Sequence, residues 1–92
     1  MKIIYKYNLN ISPKNEIEMP QGSKILSVQI QYEDPVLWAL GDTEKPLEKR
    51  SFLFIETGAQ IDEEVLNNHE YISTVQCRGG RYILHLFERN KL

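Results

Sequence analysis

Over residues 24–32, KILSVQIQY, the side chains of Leu26, Val28, Ile30 and Tyr32 alternate with those of Ser27, Gln29 and Gln31. Successive side chains of an extended strand point to opposite faces, so this period of two predicts a strand with one wet face and one face against a core. Glu33, Asp34 and Pro35 follow as turn formers, with the fixed φ of proline favouring the reversal. VLWAL (36–40) then resumes an apolar run. The two segments predict a hairpin.

Further segments carry the same signature. SFLFIET (51–57) predicts a strand with Phe52 and Phe54 on one face and Leu53 and Ile55 on the other, and KIIYKYNLNI (2–11) another with Ile3, Tyr5, Tyr7 and Leu9 on a common side. YISTVQC (71–77) and RYILHLFE (81–88) are rich in β-branched and aromatic residues and flank Arg78-Gly79-Gly80-Arg81, where glycine supplies positive φ without steric cost, so they predict a second hairpin. On its last strand Tyr82, Leu84 and Leu86 face one way while Ile83, His85 and Phe87 face the other. Both faces carry apolar weight, and one is expected to meet a partner subunit.

Between these strands, GDTEKPLEKR (41–50) is polar and charged and reads as an exposed loop. SPKNEIEMPQGS (12–23) reads as turn-rich around a small apolar island, Ile17 and Met19. One short helix is expected at about residues 63–68. Gly58 ends the preceding strand, Asp62 is placed to cap the helix N-terminus, and Glu63 and Glu64 fall where the helix dipole favours negative charge. Such a helix is too short to stand alone, so Ile61, Val65 and Leu66 are expected to dock it on the sheet. The prediction is a single mainly β domain over residues 1–92, either a small antiparallel curved sheet or an open barrel, with one short helix. Strand order is not set at this level.

Charge and cysteine content narrow the partners. A net charge of −2 with an ordinary apolar share argues against a disordered chain and against a general polyanion-binding surface, so nucleic acid is not expected as a partner. The single cysteine, Cys77, makes no intrachain disulfide and suits a reducing compartment, with a cytoplasmic location as the expectation. No run approaches the roughly 20 apolar residues of a membrane span, and the N-terminal segment breaks its apolar character early. Neither membrane insertion nor secretion is expected.

Taken in order, "IYKYNLNI", "IEMPQGSKILSVQIQ", "PVLWAL", "RSFLFIETGAQI" and "YISTVQCRGGRYILHLFE" resemble a family of short proteins of tailed bacteriophages and prophages. The likeness covers nearly the whole chain, with GDTEKPLEKR and the tail RNKL matching least. It brings no assigned activity and no catalytic or ligand residue. What it implies is context: a phage accessory protein acting in a bacterial host cytoplasm.

No constellation in the sequence carries chemistry by itself. Cys77 and His85 are two ligands at most and do not make a zinc site, and as a nucleophile dyad they lack an orienting third group. Glu56, Asp62, Glu63 and Glu64 could supply paired carboxylates, but helix capping and the dipole account for three of them. The glycines match neither a phosphate-cradling loop nor a dinucleotide fingerprint. No enzyme, metal or cofactor is expected.

Binding is the better class. The candidate ligand-binding residues are Arg78 and Arg81, which flank the double glycine, with Arg50, Trp38 and His85. Arginine forks grip phosphates or carboxylates, a tryptophan ring can stack on a planar base, and a histidine offers one polar contact in an apolar wall. Each also has a plainer reading: a solvated turn, a core aromatic, a hydrogen-bonded interface histidine. Two functions compete. The first is a homo-oligomeric sponge whose intersubunit pockets sequester a nucleotide-derived immune signal. The second is a protein-binding inhibitor of a host defence protein, to which Asp62, Glu63 and Glu64 would lend acidic surface. A virion or assembly component is the third, plainer possibility. The sponge predicts a discrete mixed apolar and basic pocket, and the inhibitor a broad surface without one.

Overall fold

A computed structural model describes residues 1–91. The elements run β1 (Lys2–Asn8), β2 (Lys14–Pro20), β3 (Lys24–Gln31), β4 (Asp34–Asp42), β5 (Leu47–Glu56), α1 (Glu63–Asn68), β6 (His69–Cys77) and β7 (Tyr82–Arg89). The fold is mainly β with one short helix, and every strand pairing is antiparallel. The strands divide into two sheets, one ordered β1-β4-β3 and the other β2-β5-β7-β6, and among the described residues no barrel closes. The chain passes between sheets after β1, after β2 and after β4, so each sheet is built from strands distant in sequence.

Between the sheets the alternation read from the sequence becomes packing. Val28 of β3 and Leu37 and Ala39 of β4 meet Phe52 and Phe54 of β5 and Leu84 and Leu86 of β7, all buried. Burial of side chains as large as these contributes about 1.5–3 kcal/mol apiece. Leu9 joins this core just past β1, and Tyr7 packs against it, so the common side read for residues 3–9 faces inward. Ile3, at the outer end, stays 41% exposed.

Four local readings are corrected. The reversal after β3 is made by Tyr32 and Glu33, at φ 51° and 72°, between the paired residues Gln31 and Asp34. That is the backbone of a two-residue hairpin turn whose twist matches the strands, built without glycine. Pro35 lies inside β4 and is buried. Leu9 N–H donates to Pro35 O at 3.0 Å, and proline has no N–H to return, so the β1–β4 ladder stops there.

The region expected as a turn-rich island is β2, with Met19 wholly buried and Asn15 holding the preceding loop through bonds to Asn10 and Ser12. The charged run expected as a loop is mostly strand. β4 runs through Asp42 and β5 begins at Leu47, leaving a short connection. Glu48 and Arg50 share the inward face of β5 with Phe52 and Phe54, and both are paired with opposite charges there.

The helix stands where expected, but Asp62 makes no side-chain cap bond. Its backbone carbonyl accepts from Val65 N–H at 3.0 Å. The side-chain capping lies at the other end: Asn68 Nδ2 donates to Glu64 O at 2.9 Å, and His69 Nδ1 donates to Val65 O at 2.8 Å. These bonds satisfy carbonyls that a helix end otherwise leaves free. Val65 is half-buried, while Ile61 and Leu66 remain 37% and 43% exposed.

Candidate binding site

The outer face of the four-stranded sheet gathers more exposed apolar surface around one polar side chain than its alternation requires. Ile55 on β5, Ile83 and Phe87 on β7 and Tyr71 on β6 share this face, because Phe54, Leu84, Leu86 and Ile72 beside them pack into the core. Tyr71 sits opposite Phe87 in register, and the rings meet edge to face with centroids 5.6 Å apart. Tyr71 is 55% and Ile83 37% exposed.

His85 lies at the middle of this face. Its Nε2 is 2.8 Å from Thr57 Oγ1 and its Nδ1 2.8 Å from Thr74 Oγ1, and Thr74 Oγ1 is in turn 2.7 Å from the Tyr71 hydroxyl. A hydroxyl both donates and accepts, so the chain of bonds serves either tautomer of the ring. Thr57 begins the segment that leaves β5. Its N–H donates to Ile83 O at 3.2 Å, Gly58 takes φ 89° in the following turn, and Ala59 N–H closes that turn on Glu56 O. The segment thus lies over the sheet, and Ala59 and Ile61 help wall a hollow of about 320 Å³ beside His85 and Phe87.

In the known nucleophilic triads a carboxylate or amide orients the imidazole through its second nitrogen, whereas both ring nitrogens of His85 meet threonine hydroxyls, Thr57 and Thr74. Cys77 is separate from this cluster. The thiol is fully buried on the core side of β6, while Thr74 and His85 point outward, so the two sulfur and imidazole groups lie on opposite faces of the hairpin. Burial pushes the Cys77 thiol up from its ordinary value, aided by Asp34 and opposed by Arg78, away from the thiolate a nucleophile needs. Among the described residues no three His, Cys, Asp or Glu side chains gather as a metal site, and no buried side-chain nitrogen or oxygen lacks a hydrogen-bond partner.

The other candidate residues do not join His85. Trp38 is half-buried on the outer face of the three-stranded sheet, in register with Lys6 and Ser27. Close by, Lys6 Nζ donates to Gln31 Oε1 at 2.8 Å across β4, roofing Val36, which is only 2% exposed. Arg78 stands at φ 52° in the β6–β7 turn, donates to Asp34 Oδ1 at 3.4 Å, and holds its guanidinium 6.0 Å from the Tyr82 ring centroid. Arg81 is exposed in the same turn. Arg50 lies level with the far end of β7, roughly 25 Å from that turn at the usual strand rise. It is bound to Glu88 and to the carbonyl of Ser23, and the Glu88 pairing holds the guanidinium even more firmly protonated than usual. The five side chains therefore occupy three separate regions plus the strand end, and one copy of the chain does not converge them on one pocket.

Sequence reasoning missed Tyr71, Thr74 and Thr57 as partners of His85. The pairing of Thr74 with His85 follows from the hairpin register, but a bulge at Ile72 resets that register and puts Tyr71, rather than Ile72, beside Phe87. Thr57 reaches His85 only because the turn at Gly58 folds the chain back.

Fold and face together define a small two-sheet antiparallel β domain with one short helix in the connection between two strands of its larger sheet. The chain belongs to the family described as a domain of unknown function (DUF7352), whose model matches residues 1–92. No curated protein and no solved structure matches it.

Proposed function

We propose that this chain is a non-enzymatic binding protein that holds a protein partner against the outer face of its four-stranded sheet, around His85. The observation that carries this reading is the exposed apolar surface of Tyr71, Ile83 and Ile61 beside half-buried Ile55 and Phe87, with one hydrogen-bonded histidine at its centre. Interfaces concentrate their energy in such aromatic and aliphatic clusters with a polar rim. The rim is present, in Glu16, Glu18 and Lys49 along the β2 margin of the same face. The resemblance to phage and prophage proteins supplies the setting in which we place this role: the cytoplasm of a bacterial host, with a host protein as the partner and the chain acting as a homo-oligomer.

Sequestration of a nucleotide-derived signal is the competing role, and it would require residues from more than one copy to build its pocket. Two measurements separate the readings. A photo-crosslinking phenylalanine analogue at Ile83, introduced in bacterial cells, is expected to give discrete protein adducts, and the same analogue at Gln29, exposed on the outer face of the other sheet, none. Absence of adducts at Ile83, or an identical pattern at both positions, would sink the proposal. Thermal melting against a panel of cyclic dinucleotides and ADP-ribose derivatives is expected to show no shift. A shift of several degrees with the compound recovered intact would move the function to sequestration, and a chemically altered compound would make the chain an enzyme.

A further inference from the structure

Two sheets present four edge strands, and three of them are guarded against pairing with another chain. β3 and β6 each carry a bulge, at Leu26 and Ile72, and the two strands lie against one another across the gap between sheets. A bulge interrupts the ladder that an added strand would follow. On β2 the residues whose backbone groups point outward are Lys14, Glu16, Glu18 and Pro20, since Pro13 O and Gln21 N–H bond inward to β5 and its lead-in. Proline has no N–H to offer, and full-length self-pairing sets a glutamate against a glutamate.

β1 has none of these guards. Its register with β4 is unbroken from Lys2↔Asp42 to Asn8↔Val36, and Ile3 and Ile4 are 41% and 60% exposed. Which of its backbone groups are free follows from the flanking bonds. Met1 O accepts from Thr43 N–H and Leu9 N–H donates to Pro35 O, so odd-numbered residues bond toward β4. Lys2, Ile4, Lys6 and Asn8 therefore turn their N–H and C=O outward, unpaired among the described residues.

We infer that this edge pairs with the β1 of a second copy, antiparallel about a two-fold axis at Tyr5. Only registers that bring even-numbered residues opposite even-numbered residues can form bonds. Centring the pair on Ile4 sets Lys2 against Lys6, and centring it on Lys6 sets that lysine against itself. The register centred on Tyr5 avoids both: Ile4 faces Lys6 of the other copy and Lys2 faces Asn8, each pair exchanging two backbone bonds. It also covers the exposed isoleucines, Ile4 against the stem of Lys6 and Ile3 against Tyr7. The two three-stranded sheets become one continuous six-stranded sheet.

Sedimentation velocity on the full chain over a wide concentration range tests this. The wild-type chain is expected to be a dimer. Ile4→Pro removes an outward N–H that the β1–β4 ladder does not use, and should raise the dimer dissociation constant by at least about tenfold with an unchanged circular dichroism spectrum. Ile4→Lys, at an exposed position, should do the same by facing a lysine with Lys6, and adding Lys6→Glu to it should restore the dimer. A monomer at every concentration, a dimer indifferent to both Ile4 variants, or a failure of Lys6→Glu to rescue Ile4→Lys would each overturn the proposal.

Discussion

Arg50 of β5 and Glu88 of β7 form a two-point ion pair, with Arg50 Nη2 2.8 Å from Glu88 Oε1 and Nε bonded to Oε2, while the third corner of the guanidinium reaches across to the carbonyl of Ser23. β5 and β7 are neighbours in one sheet, and Ser23 stands at the entry to β3 in the other. The arginine thus ties the two sheets together at the open end of the core.

With side chains only 13% and 17% exposed, this pair should be costly to break and cheap to replace. Arg50→Met leaves a half-buried carboxylate and the Ser23 carbonyl without a donor, and is expected to destabilise the fold by about 2–4 kcal/mol. Adding Glu88→Leu should recover more than half of that loss. A double-mutant cycle by urea denaturation measures both quantities.

Gly41 has no spare room. A Cβ there would stand 3.0 Å from Ser23 Oγ, 3.1 Å from Pro20 Cγ and 3.2 Å from the Tyr5 ring. The proline ring cannot rotate away, so Gly41→Ala is expected to cost about 1–3 kcal/mol, read as a lower urea midpoint with an unchanged slope.

The Tyr32-Glu33 turn points the other way. Both residues hold positive φ, which disfavours any side chain other than that of asparagine or aspartate, and Tyr32 is 91% exposed and so loses little packing if replaced. The double substitution Tyr32→Asn, Glu33→Gly should stabilise the domain by about 1 kcal/mol and raise its melting temperature.

Acid should loosen the fold through Glu48 and Asp42. The ammonium of Lys91, and after it the Gly22 N–H, hold the Glu48 carboxyl below its ordinary value of 4.5, and the Glu44 backbone N–H, with the N-terminal charge, holds Asp42 below 3.8. A carboxyl depressed in the folded state lends stability that is complete above its unfolded value and is lost as pH falls through the folded one. The urea midpoint is therefore expected to decline below about pH 4.5, and Glu48→Gln should remove part of that slope.

Much of the architecture was legible because alternation and burial share a cause. Phe52, Phe54, Leu84 and Leu86 announced their inward face, and the helix at 63–68 was marked by Gly58 before it and acidic residues at its start. β2 and the first half of β5 were hidden because their inward positions carry the polar residues Asn15, Glu48 and Arg50: Asn15 is satisfied by the loop just before it, and the partners of Glu48 and Arg50 lie far away in sequence. The same blindness affected the site. Arg50 and Trp38 were readable as residue types suited to ligands, but only the sheet assignment puts Trp38 and His85 on opposite outer faces. His85 was visible as a polar residue in an apolar strand, whereas its hydroxyl partners depended on a bulge and a reversed turn.

The kinks at Leu26 and Ile72 reach beyond their own strands. A molecule with one straight margin and three irregular or charged ones can be joined to its like a single time, after which nothing flat is left to extend. Straighten Leu26, and the three-stranded layer would have two usable rims; copies could then add end on end into a ribbon of indefinite length.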